Sequence, residues 1–172
     1  ICSGLTAMCT FAGKTATRRA IRPQAMKLTL AAAPAFSASI CSITALPTLS
    51  FPPYDVFVGA PTTTSGIATI RCSGSGGLAN FTVGIGQSAT SGTIAGRQMA
   101  QQGAGNTGRL NYNIYKDGGF SNLWGDGTAG TTPQVIIPAG LNTPVAVFGK
   151  IDPGQDAPVG NYKDTVVMSV NP

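Results

Sequence analysis

The amino-acid sequence predicts an all-β protein in which antiparallel strands form a sandwich or a barrel. Helix formers are scarce, since the 172 residues include no Glu, whereas strand and turn formers such as Val, Thr, Ser, Gly and Pro are abundant. Short stretches of alternating apolar and polar residues recur between turn-forming residues. Charged residues make up 10% of the chain, well below the roughly one quarter of an average soluble domain. Such a low charge suits an extracellular protein whose surface is partly covered by neighbouring molecules.

Eight strands are predicted along the chain. Their bounds are Ile40–Thr44, Leu46–Phe51, Thr64–Cys72, Ala79–Gly86, Arg109–Tyr115, Gln134–Pro138, Thr143–Gly149 and Tyr162–Val170. Turn signals rich in Gly, Pro and Asp separate them. In the last strand, Val166, Met168 and Val170 share one face, which we expect to be a core face.

Two regions are predicted: a leader over residues 1–38 and one folded domain over residues 39–172. Near Met26, a basic run precedes the mildly apolar segment Leu28–Phe36, and small residues follow it. This is the layout of a secretory signal peptide, with Met26 as the true start.

The same segment also fits an extended strand. Met26, Leu28 and Leu30 alternate with Lys27, Thr29 and Ala31, so the first three would share one face. Pro34 removes one backbone donor and must therefore lie at the end of such a strand or on its unpaired side. A signal peptide, a strand and an unstructured remnant all remain open from the residues alone.

The net charge of +5 is concentrated in the leader. Five cations lie within the first 27 residues, whereas from Ser39 onward six cations face six aspartates, so the body is neutral. Nucleic-acid binding needs a basic patch on the folded domain, so that class is not expected. No stretch reaches the roughly 18 consecutive apolar residues of a membrane span.

The residue types for catalysis or metal binding are largely missing. The chain has no His, which excludes a Ser-His-Asp triad and mixed Cys-His zinc sites. Asp126 lies between two glycines, where a turn explains the carboxylate better than general acid chemistry or calcium binding does. We therefore expect no enzyme activity, no metal and no cofactor.

Four cysteines occupy positions 2, 9, 41 and 72. In a secreted protein, a disulfide between Cys41 and Cys72 is the natural assignment. Closing a loop of roughly 30 residues stabilises the fold by about 3–4 kcal/mol on the chain-entropy account. Cys2 and Cys9 lie in the leader, where they either pair with each other or are absent from the mature protein.

Four aromatic residues, Tyr112, Tyr115, Phe120 and Trp124, fit either a structural role or a sugar-binding platform. Tyr112 and Tyr115 are three positions apart, so on one strand they point to opposite faces and at least one belongs to the core. Structural roles explain the set more simply, because aromatic side chains contribute large burial energies. Tyr115 and Trp124 are the candidates for surface binding.

Four sequence blocks in the predicted domain resemble a known family. They are CSITALPTLSFPPYDVFVGAPTTTSGIATIRC from Cys41, FTVGIGQSATSG followed by RQM from Arg97, LNYNIYKDGGFSNLWGDGT from Leu110, and VFGKIDPGQDAPVGNYKDTVVMSV from Val147. In their order and spacing these blocks resemble the spore coat protein U domain of archaic chaperone–usher pilus subunits. Pro52-Pro53 departs from the glycine that the family commonly has at this turn.

The resemblance implies an incomplete Ig-like antiparallel β-sandwich, or pilin-like fold, that lacks its final strand. Its matching positions also imply a disulfide between the first strand and a following one. The face of Val166, Met168 and Val170 would then line an acceptor groove. If the leader is retained, Met26, Leu28 and Leu30 would belong to a strand donated to a neighbouring subunit.

The function implied by the resemblance is that of a structural subunit of a secreted fibre or coat. Its partners would be a periplasmic chaperone, an usher and neighbouring pilin subunits, and it would pass through the periplasm to the cell surface. The alternative is a tip adhesin of the same fold that presents loops to a surface or to carbohydrate. A mature N-terminus near Ser39 favours the tip or coat role, whereas a start before Met26 favours a strand-donating subunit.

Overall fold

The computed structural model describes residues 40–73, 80–138 and 140–171, which form strands and turns without a helix. The ten strands are β1 (Ile40–Ala45), β2 (Thr62–Ser73), β3 (Phe81–Ser88), β4 (Gln98–Gln101), β5 (Arg109–Asn111), β6 (Asn113–Tyr115), β7 (Gln134–Ile136), β8 (Asn142–Ile151), β9 (Tyr162–Lys163) and β10 (Val166–Asn171). All ladders between these strands are antiparallel. The predicted all-β, antiparallel fold class is confirmed. Within this part of the chain, no helix has the length and apolar character needed to cross a membrane.

The strands form three sheets. The first has the order β1-β2-β8-β6, the second β10-β3-β7 and the third β5-β4-β9. The ladder of β2 and β8 is the longest, running from Thr62 opposite Ile151 to Arg71 opposite Asn142. These two strands therefore form the centre of the first sheet, and the shorter strands β1 and β6 pair at its two edges.

One hydrophobic core joins the three sheets. In the second half of β2 every second residue, Ala68, Ile70 and Cys72, is buried, and the neighbouring β8 contributes Val145 and Val147 on the same face of the sheet. The alternation follows from the period of two in a strand, which sends successive side chains to opposite faces. Buried residues of β3, β4 and β5 complete the same cluster.

Two predicted strands are divided in the structure because the chain changes sheet partway along each. Between Arg109 and Tyr115, β5 belongs to the third sheet and β6 to the first, with Tyr112 at the break. Between Tyr162 and Val170, β9 belongs to the third sheet and β10 to the second. Alternation is continuous through both breaks, so the sequence pattern does not reveal them.

The prediction of a strand over Leu46–Phe51 is wrong. Pro47 lacks a backbone donor, and the segment crosses the inner face of the first sheet instead of joining a ladder. A Cβ at Gly66 would lie 2.6 Å from Pro47 Cβ, and one at Gly149 would lie 2.8 Å from the Phe51 ring. Glycine at these two positions therefore makes room for the segment.

Strand β4 was not predicted. Three of its four residues are Gln or Ala, and only Met99 is buried. An apolar alternation cannot be recognised from a single apolar residue. Its backbone nevertheless pairs with β5 on one side and β9 on the other.

Candidate assembly groove

Strand β1 forms one edge of the first sheet. Among the described residues it pairs only with β2, so its second edge has no ladder partner there. Cys41 and Ile43 are half-buried and pack against the core, while Ile40, Ser42 and Thr44 are exposed. β1 therefore presents an apolar inner face beside an unpaired backbone edge.

A disulfide fixes β1 to the centre of the sheet. Cys41 lies directly opposite Cys72 in the antiparallel register, and their sulfur atoms are bonded. Cys72 is fully buried. The predicted pairing of Cys41 with Cys72 is confirmed.

Strand β10 forms one edge of the second sheet. Val166, Met168 and Val170 are half-buried against the core, whereas Val167 and Ser169 on the opposite face are exposed. Within the described ranges β10 pairs only with β3. The three residues predicted to line an acceptor groove thus lie on the core side of an edge strand.

Strands β1 and β10 lie next to each other although they belong to different sheets. Each has one edge without a ladder partner in the described part of the chain, and each offers half-buried apolar side chains below that edge. We call this feature the assembly groove, defined by Cys41 and Ile43 on β1 and by Val166, Met168 and Val170 on β10. An unpaired edge above apolar side chains is a template for another extended strand.

A polar network anchors the start of β10. The Asp164 carboxylate accepts hydrogen bonds from the Thr90 backbone N–H at 3.1 Å, the Thr90 hydroxyl at 2.9 Å and the Tyr112 hydroxyl at 2.8 Å. Burial acts to raise the pKa of Asp164, but hydrogen bonds to the carboxylate, including that of Tyr112, outweigh it and lower the pKa. The pKa of Tyr112 is raised above its ordinary value by burial of its own hydroxyl and by its hydrogen bond to Asp164. These hydrogen bonds therefore hold the chain in place immediately before β10 begins.

Arg97 was not singled out by the sequence, yet it is one of the largest fully buried side chains. Its guanidinium donates hydrogen bonds to the backbone carbonyls of Ile85, Gly86 and Trp124, at distances of 2.9–3.2 Å. Burial lowers its pKa, but an Arg side chain remains protonated in proteins. Among the described residues no salt bridge forms with Arg97, and carbonyl dipoles bind its charge instead. The only sequence signal was the Arg-Gln-Met segment within the family resemblance.

The expectation that Trp124 contributes to surface binding is corrected by its burial. Its side chain is 0% exposed, and its indole N–H donates to the Val83 carbonyl at 2.8 Å. A ring enclosed in this way cannot stack on an external ligand. Tyr112 is also buried, whereas Tyr115 is half-buried on the other side of the sheet. The prediction that at least one of the two tyrosines belongs to the core is confirmed.

The Asp126 carboxylate belongs to a turn. Its Oδ1 atom accepts hydrogen bonds from the Thr128 backbone N–H at 2.9 Å and from the Thr128 hydroxyl at 2.6 Å. The bonds from Thr128 are the main reason why the pKa of Asp126 is lowered. The turn interpretation from the sequence is confirmed.

The predicted donor residues Met26, Leu28 and Leu30, and the whole leader over residues 1–38, lie outside the described residues. The division into a leader and a domain therefore stays a prediction. So does the fate of Cys2 and Cys9.

The fold and the groove together define a class: small antiparallel β-sandwich domains in which two adjacent edges have no ladder partner among the described residues. A family model described as the Spore Coat Protein U domain matches residues 26–169 of the chain. The chain belongs to this family. It is also 31% identical over 131 residues to Protein U of Myxococcus xanthus, an alignment that spans 72% of this chain and 70% of that protein.

A solved structure shares the fold. It is a chain of the CsuC–CsuE chaperone–tip adhesion subunit pre-assembly complex from the archaic chaperone–usher Csu pili of Acinetobacter baumannii. The superposition has a TM-score of 0.50 and 21% sequence identity, and covers 77% of this chain. The present chain spans 40% of the length of that chain. At this identity the similarity concerns the fold.

Proposed function

We propose that this protein is a structural subunit of a secreted surface fibre or coat, assembled by donor-strand complementation. The observation that carries the proposal is the assembly groove, in which β1 and β10 lie side by side, each with an unpaired edge in the described part of the chain. The role is structural and not enzymatic. Membership of the Spore Coat Protein U family supports it.

An inserted strand would bind the groove in two ways. Its backbone would form hydrogen bonds with the open edges, which supply affinity irrespective of sequence, and its alternate side chains would fill the space above the groove residues. Each fully buried Leu or Val of the incoming strand would contribute about 1.5–3 kcal/mol. The half-burial of Met168 and Val170 leaves apolar surface available for this contact.

The proposed partners are those that membership of the Spore Coat Protein U family implies. During export a periplasmic chaperone would occupy the groove, an usher would accept the subunit, and a neighbouring subunit would then replace the chaperone strand. Met26, Leu28 and Leu30 are the proposed donor side chains, since they share one face of an alternating segment. A chain cleaved near Ser39 would lack this donor and would serve at a tip or in a coat.

A matched pair of substitutions on β10 tests the groove. Met168→Glu places a charge on its core side, whereas Val167→Glu places the same charge on the opposite face, where Val167 is 71% exposed. Heat-sensitive multimers on gels of unboiled secreted fibre should be lost in the first variant and retained in the second. Equal assembly of both variants would contradict the proposal.

A second pair tests the donor without touching the described domain. Leu28→Glu should abolish multimers and Thr29→Glu should retain them, because only Leu28 would face the groove. N-terminal sequencing of secreted protein distinguishes the two roles: a start before Met26 supports a donor subunit. A start near Ser39 would instead support the tip or coat role.

A further inference from the structure

An aromatic and charged cluster lies at the edge of the first sheet opposite β1. Tyr115 on β6 is the register partner of Phe148 on β8, and Phe120 packs edge-to-face on Tyr115 with ring centroids 5.6 Å apart. All three are only partly buried. We call Tyr115, Phe120 and Phe148, together with Lys150 and Asp152, the aromatic patch.

The loop that carries Phe120 is closed by hydrogen bonds, although its backbone conformation at Phe120 is costly. Phe120 has a φ of 55°, in the left-handed region, where a bulky residue is uncommon and costs on the order of 1–2 kcal/mol. The Asp117 carboxylate holds the loop by accepting hydrogen bonds from the backbone N–H groups of Ser121 and Asn122 and from the Asn122 side-chain amide. Glycine would meet the requirements of the turn without strain. The presence of Phe at this position therefore points to a role for the ring itself.

A donor and an acceptor lie beside the rings. Lys150 Nζ is 5.7 Å from the centroid of Tyr115 and 6.0 Å from that of Phe120. The same atom is 2.8 Å from Asp152 Oδ1. The Asp152 side chain is 67% exposed, so its carboxylate remains accessible to a ligand.

We propose that the aromatic patch binds a neutral saccharide. The C–H face of a sugar ring would pack on Tyr115 and Phe120. One hydroxyl of the sugar would accept a hydrogen bond from Lys150, and the adjacent hydroxyl would donate one to Asp152. The two charges sum to zero, so they suit a neutral ligand with hydrogen-bonding groups. A wholly apolar partner would bury the ion pair without replacing its contacts with water, which is costly.

The patch is independent of the assembly groove. In the first sheet β1 and β6 are separated by β2 and β8, a distance of about 14 Å at the usual strand spacing. A strand or chaperone that occupies the groove edge of β1 would therefore leave the patch open. Saccharide binding and fibre assembly can succeed or fail separately.

Saturation-transfer NMR on the full chain purified from the periplasm tests the proposal. The probes are methyl β-glucoside, methyl β-galactoside and methyl α-mannoside. We expect saturation to be transferred from the protein to the ring C–H protons of at least one of these glycosides. Phe120→Gly should weaken binding of that glycoside at least about fivefold, because this variant removes the aromatic ring. The backbone should be preserved, since glycine readily adopts a positive φ.

The matched control is Phe57→Ala, since Phe57 is an aromatic residue with 94% exposure outside the patch. It should leave saccharide binding unchanged. Unchanged amide chemical-shift dispersion in Phe120→Gly would establish that its fold is intact. Absence of transfer to all three glycosides, or equal transfer in wild type and Phe120→Gly, would overturn the proposal. So would preferential binding of methyl β-glucuronide that strengthens in Asp152→Asn, because that result identifies an anion site.

Discussion

The two edges of the first sheet differ in whether a following segment of the chain pairs with them. At the β6 edge, Tyr115 forms a bridge with Leu123, and the Trp124 backbone N–H donates to the Ile114 carbonyl. The protein therefore covers this edge with its own following segment. At the β1 edge, the described residues supply no such partner beyond β2. An exposed edge is an aggregation hazard, and the proposed donor strand would cover the β1 edge that the described residues leave unpaired.

The covered edge is also the better anchored one. Trp124 is enclosed and hydrogen-bonded to Val83, and its own carbonyl accepts from the buried guanidinium of Arg97. At the open edge, the residues that face the core are half-buried, and a disulfide provides the strongest single constraint. The buried and hydrogen-bonded side chains are therefore concentrated near the β6 edge, whereas the β1 edge has the half-buried apolar residues that the proposed assembly would use.

The largest expected effect is at the covered edge. Trp124→Ala removes a fully buried ring and leaves the Val83 carbonyl without its donor. It should lower the free energy of unfolding by about 3–5 kcal/mol, measured by urea denaturation. Phe57→Ala, which removes a highly exposed ring, serves as the control and should change it by less than about 0.5 kcal/mol. Similar losses in both variants would contradict the described burial.

At the open edge, removal of the disulfide should have the next largest effect. The double variant Cys41→Ala, Cys72→Ala opens a loop with a sequence separation of 31, which should cost about 3–4 kcal/mol. Urea denaturation of the oxidised wild type and of the variant measures it. Wild type kept in reductant should match the variant closely. A variant as stable as the oxidised protein would show that β1 is held mainly by other contacts.

The anchor of β10 should matter less. Asp164→Asn weakens the interactions with Tyr112 and Thr90, and we expect a loss of about 1–3 kcal/mol in the free energy of unfolding. Asp156→Asn is the control, because Asp156 is exposed. Equal stabilities of the two variants would exclude the network as a fixed point for β10.

Filling the groove with a strand should increase the loss of stability that Met168→Ala causes. Met168→Ala should cost about 1 kcal/mol in the lone subunit, where Met168 is half-buried, and about 2–3 kcal/mol when a peptide of residues 26–38 fills the groove. Thermal denaturation with and without the peptide measures the difference. If Met168→Ala lowers the stability equally with and without the peptide, the peptide does not cover Met168.

The pH dependence should be the mildest probe. Because the pKa of Asp164 is lowered in the folded state, its contribution to stability is present above the unfolded pKa of about 3.9. That contribution is lost as the pH falls through the lower folded pKa. The free energy of unfolding should therefore decline below about pH 4. The decline should be shallower in Asp164→Asn, although Asp117 and Asp126, whose pKa values are also lowered, will preserve part of it.

Most of the strands could be predicted from alternation, because a half-buried strand shows its two faces directly in the sequence. The long ladder of β2 and β8 and the faces of β10 follow this rule. The segment Leu46–Phe51 has a similar pattern but packs across the inner face of a sheet, in space that Gly66 and Gly149 provide from distant parts of the chain. The alternation of residues within a segment does not show whether distant parts of the chain leave room for it to pack across a sheet.

The candidate site was predictable only in part. The residues Val166, Met168 and Val170 and the disulfide followed from periodicity, secretory context and family resemblance. The roles of Trp124 and Arg97 did not, since burial depends on which segments pack over a side chain. Of the aromatic patch, the sequence indicated only Tyr115 and Phe120, because Phe148 and Lys150 come from β8, more than 30 positions beyond Tyr115 in the sequence.

By itself, the sequence determined the all-β class, the neutral body, the cysteine pair and the core face of β10. These depend on composition and on a period of two, which are local properties of the chain. Only the tertiary structure decided where the chain changes sheet, which edge is covered, and that β1 lies beside β10. Those features depend on contacts between residues far apart in sequence, whose geometry no local pattern specifies.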